Sequence, residues 1–104
     1  MIRITLKKPF SFQWDRGNEL KNWIKHNVSA IEAEDIFYDN KRLLLEDSKH
    51  SSKDEKRFIL VGKTQKRRML VIAFTIREEK IRIISARDTN RKEEIIYEKA
   101  INNA

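Results

Sequence analysis

The segment Ile81–Arg87, which reads IRIISAR, constrains the fold more than any other stretch. Ile81, Ile83 and Ile84 are β-branched and apolar, the composition of a strand with at least one face buried. Arg82, Ser85 and Arg87 interrupt that run. A guanidinium within a strand is costly unless it is paired, lies at the rim or faces an anion. Asp88, Thr89 and Asn90 follow at once and are helix N-caps by type. Arginines beside a helix N-terminus make a place for an anion, either a phosphate backbone or a neighbouring carboxylate. Strict alternation sends Arg82 and Arg87 to opposite faces, because their separation is odd, unless the strand ends or bulges before Arg87. The expectation is therefore a cluster of Arg82 with Arg57, and Arg87 apart from it at the sheet rim near the last helix.

Around this strand the chain reads as short, well-punctuated elements. Ile2, Ile4 and Leu6 alternate with polar residues over Met1–Leu6, a strand that Lys8-Pro9 ends. Phe10, Phe12 and Trp14 make a second extended piece. Asp15 then caps a helix over Arg16–His26, with Leu20, Trp23 and Ile24 as its inner stripe and Asn27 as a left-handed C-cap. Ser29 and Glu32 form a capping box with Val28 as staple, opening a helix whose inner face is Ala33, Ile36 and Phe37. Asp39-Asn40 closes it.

The period then changes to two. Strands are expected at Leu43–Glu46, Lys56–Lys63, Met69–Ile76 and Ile81–Arg87, with a polar loop at Asp47–Glu55 and tight turns at Thr64–Arg67 and Arg77–Lys80. Asn90 and Glu93 cap a final helix with Ile95, Ile96 and Ala100 inside, fraying over Asn102–Ala104. The fold class is α+β: one domain over 1–104, an antiparallel β-meander packed against two N-terminal helices and one C-terminal helix. The helices around Asn27–Ser29 make a helix–turn–helix in shape, but neither carries a recognition face, so DNA reading is not expected.

Lys and Arg number 23 against 16 Asp and Glu, a net charge of +7, so an acidic partner such as nucleic acid is expected. Cysteine is absent, and no apolar run approaches the roughly 20 residues of a membrane span. The reading is a soluble, cytoplasmic protein without membrane attachment. Two histidines without a HExxH or paired-Asp spacing build no metal site, and Gly62 stands alone where a phosphate loop would need several glycines, so no cofactor is expected.

Several motifs occur together: FQWD at Phe12–Asp15, KHNVS at Lys25–Ser29, D-x-x-H-S at Asp47–Ser51 and EKRFILVG at Glu55–Gly62. LVIAFTIR at Leu70–Arg77 and IRIISAR followed by R-x-E-x-x-x-Y at Arg91–Tyr97 complete the series. In this order, over about residues 10–99, they resemble the BrnT toxins of bacterial type II toxin–antitoxin pairs. The resemblance implies a RelE-like ribonuclease that cuts RNA and arrests translation, held inactive by a ribbon–helix–helix antitoxin, BrnA. It also implies a basic active site built from several Arg and Lys. Two departures stand out: Asn27 where the family has Gly, and the additional strand over residues 1–8, suited to an edge or an oligomer contact.

RNA cleavage without a metal needs a base for the 2′-hydroxyl proton, positive charge for the phosphorane and an acid for the leaving 5′-oxygen. Arg57, Arg82, His26 and His50 are the catalytic candidates. Lys25, Lys63, Lys66, Arg67, Arg77, Arg87 and Arg91 are the candidates for holding RNA, possible mRNA included. Each arginine has a plainer reading as an ion pair with a carboxylate such as Asp35, Glu46 or Glu94, and His26 as a C-terminal helix cap. Tyr97 is read as packed and Ser85 as no nucleophile. The alternative function is a non-catalytic RNA- or protein-binding module using the same charges. A homodimer and a hetero-oligomer with the antitoxin both remain open. The resemblance predicts an adjacent small reading frame with a ribbon–helix–helix pattern, which sequencing of the flanking DNA would reveal.

Overall fold

Alternation in the sequence organises the protein around one sheet, flanked unequally on its two faces. The computed structural model describes Leu6 and residues 8–102; residues 1–5 of the strand expected over Met1–Leu6 and residues 103–104 of the expected fraying fall outside the described residues, whereas Asn102, also expected to fray, is the last residue of the C-terminal helix. The elements are β1 (Phe12–Trp14), α1 (Arg16–His26), α2 (Ala30–Asp35), β2 (Leu43–Glu46), β3 (Arg57–Lys63), β4 (Met69–Arg77), β5 (Lys80–Asp88) and α3 (Arg91–Asn102). Single 3-10 turns lie at Ile36–Tyr38 and Ser48–His50. The sheet order is β1-β5-β4-β3-β2. β2 to β5 form the expected antiparallel meander, but β1 joins β5 in parallel, so the sheet is mixed.

Phe58, Leu60, Leu70, Ile72, Phe74, Ile81, Ile83 and Ala86 point to one face, where Val28, Ala33, Ile36 and Phe37 cover them. Phe37 is the centre of an edge-to-face aromatic chain, with ring centroids 5.2 Å from Phe12 and 5.1 Å from Phe74. On the opposite face α3 lays Tyr97 and Ile101 over Val61, Val71, Leu43, Ile59 and Met69. The Tyr97 hydroxyl donates to Asp39 at 2.7 Å, and Asp39 also accepts from the Lys63 amide. A Cβ at Gly62 would stand 3.2 Å from that carboxylate and 3.3 Å from the Ile36 Cβ, so the close approach of β3 to the Ile36–Tyr38 turn favours glycine.

The caps fall where the sequence places them. Asp15 accepts from the Asn18 amide, Asn27 adopts φ 54°, and Ser29 with Glu32 completes the capping box. The rotations of two helices do not follow their apolar stripes. Leu20, Trp23 and Ile24 face outward, and the buried residue of α1 is Asn22. The cause is a backbone donor: β1 stops at the level of Ile83, leaving the Ala86 amide without a strand partner, and the Asn22 Oδ1 accepts from it at 3.2 Å. In α3 the inner stripe is Glu93, Tyr97 and Ile101 at i, i+4, i+8, while Ile95 and Ile96 are exposed. Here the ion pair of Arg87 with Glu93 and the Tyr97–Asp39 bond fix the rotation.

Arg68 joins four segments. It donates to Asp88 through Nε and Nη2, to Glu32 through Nη1, and to the carbonyls of His26 and Asn27. The hydrogen bond from Arg68 holds Asp88 below its ordinary value; burial pushes Glu32 up, but the Ser29 amide and Arg68 outweigh it. Both pKa values are lower folded than unfolded. Their stabilisation is therefore complete above the ordinary carboxylate range, about pH 4, and is lost as pH falls below it through the depressed values. Arg68→Met should lower unfolding free energy by about 2 kcal/mol and flatten the acid limb of stability against pH, both read from urea titrations at a series of pH values.

Candidate nucleic-acid interface

The site begins with a slip in the alternation of β5. Phe74 opposes Ile83 and Ala73 opposes Ser85, so Ile84 is the extra residue of a β-bulge. The bulge restarts the alternation: Ile81, Ile83 and Ala86 enter the core, while Arg82, Ser85 and Arg87 share the other face. The expectation that Arg82 and Arg87 divide between two faces is thus corrected, by a bulge before Arg87. Two adjacent isoleucines, Ile83 and Ile84, are the sequence mark of the slip.

α3 covers only the part of this face around Val61 and Val71. The uncovered part carries the register row Gln13, Arg82, Thr75 and Arg57, one residue from each of β1, β5, β4 and β3. With strands ~4.8 Å apart, the backbones of Arg57 and Arg82 stand about 10 Å from one another. Thr75 lies buried between them, its hydroxyl donating to the Lys56 carbonyl at 2.8 Å. The expected pairing of Arg57 with Arg82 on one face is therefore present. Among the described residues Arg57 enters no ion pair. Arg82 reaches Asp15 at 3.3 Å, so the carboxylate that caps α1 also neutralises part of this row.

Arg77, two residues beyond Thr75 on the same face, donates to Glu55 through Nε at 3.1 Å and Nη2 at 2.6 Å. That hydrogen bond is the main force holding the Glu55 carboxyl below its ordinary value; burial opposes it, and the charges of Arg77, Arg57 and Arg82 all add to it. Glu55 is thus an ionised carboxylate within the field of three guanidiniums. Sequence reasoning passed over it as part of a motif. The signal was its position two residues before Arg57 on a strand approach, which only pairing with β4 made significant.

The other candidates distribute unevenly. His50 bonds Asp47 at 2.9 Å in a loop tied to Arg57, because Ser51 Oγ accepts from the Arg57 amide and donates to the Asp47 carbonyl. Lys25 and His26 end α1, where the His26 carbonyl accepts from Arg68, and do not join the arginine row. Arg87 grips Glu93 with two bonds of 2.7 and 2.8 Å, so its anion is a carboxylate of α3. Arg91 reaches Glu94 at 3.5 Å. Lys63 lies 5.7 Å over the Tyr97 ring, and Lys66 and Arg67 form the β3–β4 turn, whose Gln65 amide donates to Asp35. Among the described residues no cluster of three or more His, Asp and Glu suits a metal ion, and no helix is long and apolar enough to cross a membrane.

The family model described as "Ribonuclease toxin, BrnT, of type II toxin-antitoxin system" matches residues 14–93. A crystal structure of the Brucella abortus ribonuclease toxin BrnT superposes with a TM-score of 0.59 at 15% identity, covering 79% of this chain and 99% of that one. At that identity the likeness is one of fold. No curated protein matches the sequence significantly. The geometry separates the arginines by role: Arg87→Ala should cost about 1 kcal/mol by freeing α3, whereas Arg57→Ala should stay within about 0.5 kcal/mol of the parent, as measured by denaturant midpoints.

Proposed function

The chain belongs to the family of BrnT ribonuclease toxins of type II toxin–antitoxin systems, and from that premise we propose that it is an endoribonuclease cleaving RNA on the open sheet face without a metal. The observation that carries the reading is one carboxylate, Glu55, hydrogen-bonded to Arg77 and lying in the field of Arg57 and Arg82. Arg57 and Arg82 bind the scissile phosphate and stabilise the charge that develops on its equatorial oxygens. Glu55 takes the 2′-hydroxyl proton. RNA phosphate competing for Arg77 returns proton affinity to Glu55 at the moment it is needed. The 2′-oxygen forms its bond to phosphorus as the bond to the 5′-oxygen breaks. His50, on the loop tied to Arg57, donates a proton to that leaving oxygen. The products are a 2′,3′-cyclic phosphate and a 5′-hydroxyl. The protein acts in the cytoplasm on translated RNA and is neutralised by a ribbon–helix–helix antitoxin of the BrnA kind, and Arg87 serves the scaffold.

Purified toxin incubated with RNA in EDTA should yield cyclic-phosphate ends, and its expression without antitoxin should arrest growth. Arg57→Ala or Arg82→Ala should reduce cleavage about 10²–10³-fold while lowering the salt slope of RNA binding by about one. Glu55→Gln should reduce cleavage about 10²–10⁴-fold with RNA binding undiminished. Intact RNA from well-folded protein, or cleavage and binding falling in equal measure across these variants, would favour a binding module over an enzyme.

A further inference from the structure

α1 carries its apolar stripe on the wrong side for a helix that serves only its own fold. Leu20, Trp23 and Ile24 are 57%, 52% and 70% exposed, and Ile31 on α2 is 81% exposed. Large apolar side chains exposed singly are ordinary; a run of them at helical spacing marks an interaction surface. Between the two helices lies a groove of about 560 Å³, in which Leu20 and Trp23 face Val28 and Ala30. Its dimensions and spacing suit recognition of an amphipathic helix, whose anchors recur at three and four residues.

The charges around the stripe say what kind of helix. Arg16 stands in the groove below Leu20, four residues earlier on the same face. Lys21 and Lys25, also four apart, form a basic row alongside Ile24. Glu19 is the single carboxylate among the groove residues. With a net charge of +7, a second copy of the chain would meet like charge across this face, whereas an acidic partner would not. The surface is also separate from the arginine row, which lies on the sheet face opposite the one that α2 covers.

We infer that the α1–α2 groove is the docking surface for an amphipathic helix of the antitoxin, apolar residues entering between Leu20 and Trp23 and flanking carboxylates pairing with Arg16 and Lys21. The inference rests on the reading of the chain as a toxin with a protein antitoxin. Because no residue lining the groove belongs to the arginine row or is Glu55, the two ideas fail separately.

The test uses full-length toxin and the antitoxin encoded by the adjacent reading frame. Trp23 is exposed in the free protein, so with Trp14→Phe as background its emission should shift to the blue and resist acrylamide quenching when antitoxin is added. Leu20→Ser/Ile24→Ser should weaken antitoxin binding at least tenfold and release growth arrest from neutralisation, while RNA cleavage stays at the parent level; Lys21→Glu should weaken binding in a manner that high salt reduces. Because these changes remove exposed apolar groups, circular dichroism and denaturant midpoints should match the parent. Unchanged antitoxin affinity in the double variant would overturn the inference, as would variants that convert a toxin dimer to a monomer while still binding antitoxin, which would make the groove a self-interface. A parent protein that neither binds nor is neutralised by the antitoxin would overturn the toxin–antitoxin reading beneath it.

Discussion

The bulge at Ile84 is the constraint on which the rest of this molecule depends. β5 must feed Ile81, Ile83 and Ala86 into one core while holding three polar residues on the other side. No unbroken alternation does both, since residues 83 and 86 are an odd number apart. One extra residue resolves the conflict and keeps Arg87 out of the core, where an unpaired guanidinium would be costly. It also brings Arg82 and Arg87 onto one face, where they serve different ends: Arg82 faces the open row with Arg57, and Arg87 clamps α3 through Glu93.

Beyond the bulge, polar bonds set the positions of the helices more than apolar burial does. α1 is placed by Asn22 on the Ala86 amide, by Asp15 on Arg82 and by Arg68 on its last carbonyls. Each of these uses a backbone group or charge that would otherwise lie unsatisfied, at the edge of β5 for Ala86 and Arg82 and at the end of α1 for its last carbonyls. Once they are made, the apolar stripe of α1 has nowhere to go but outward. The exposed face is thus a consequence of how β5 ends, and it gives the protein a second surface independent of the sheet.

The basic surplus is less available than the composition suggests. Arg68, Arg77, Arg82, Arg87 and Arg91 all meet carboxylates, so the plainer reading of an arginine as an ion pair applies to most of them. The hairpin run Lys63–Arg68 loses Arg68 to the hub that joins α1, α2 and β5. What distinguishes the open face is therefore Arg57, which enters no ion pair among the described residues, and Glu55, bonded to Arg77 and lying in the field of Arg57 and Arg82 as well.

Local chemistry was legible from the sequence: the caps at Asp15, Asn27, Ser29 with Glu32 and Asn90 with Glu93, the four meander strands, and the burial of Val28, Ala33, Ile36 and Phe37. These depend on residues within a few positions of one another, so spacing alone determines them. The family too was legible, because its motifs are local. The rotations of α1 and α3 were not, because a stripe of leucine and isoleucine predicts burial only when no stronger bond competes, and the partners Ala86, Asp39 and Arg87 lie far along the chain. The joining of Glu55, through Arg77, to the expected pair of Arg57 and Arg82 belongs to the same class. Strand pairing across β3, β4 and β5 decides it, and a single extra residue in β5 decides which side chains share that face.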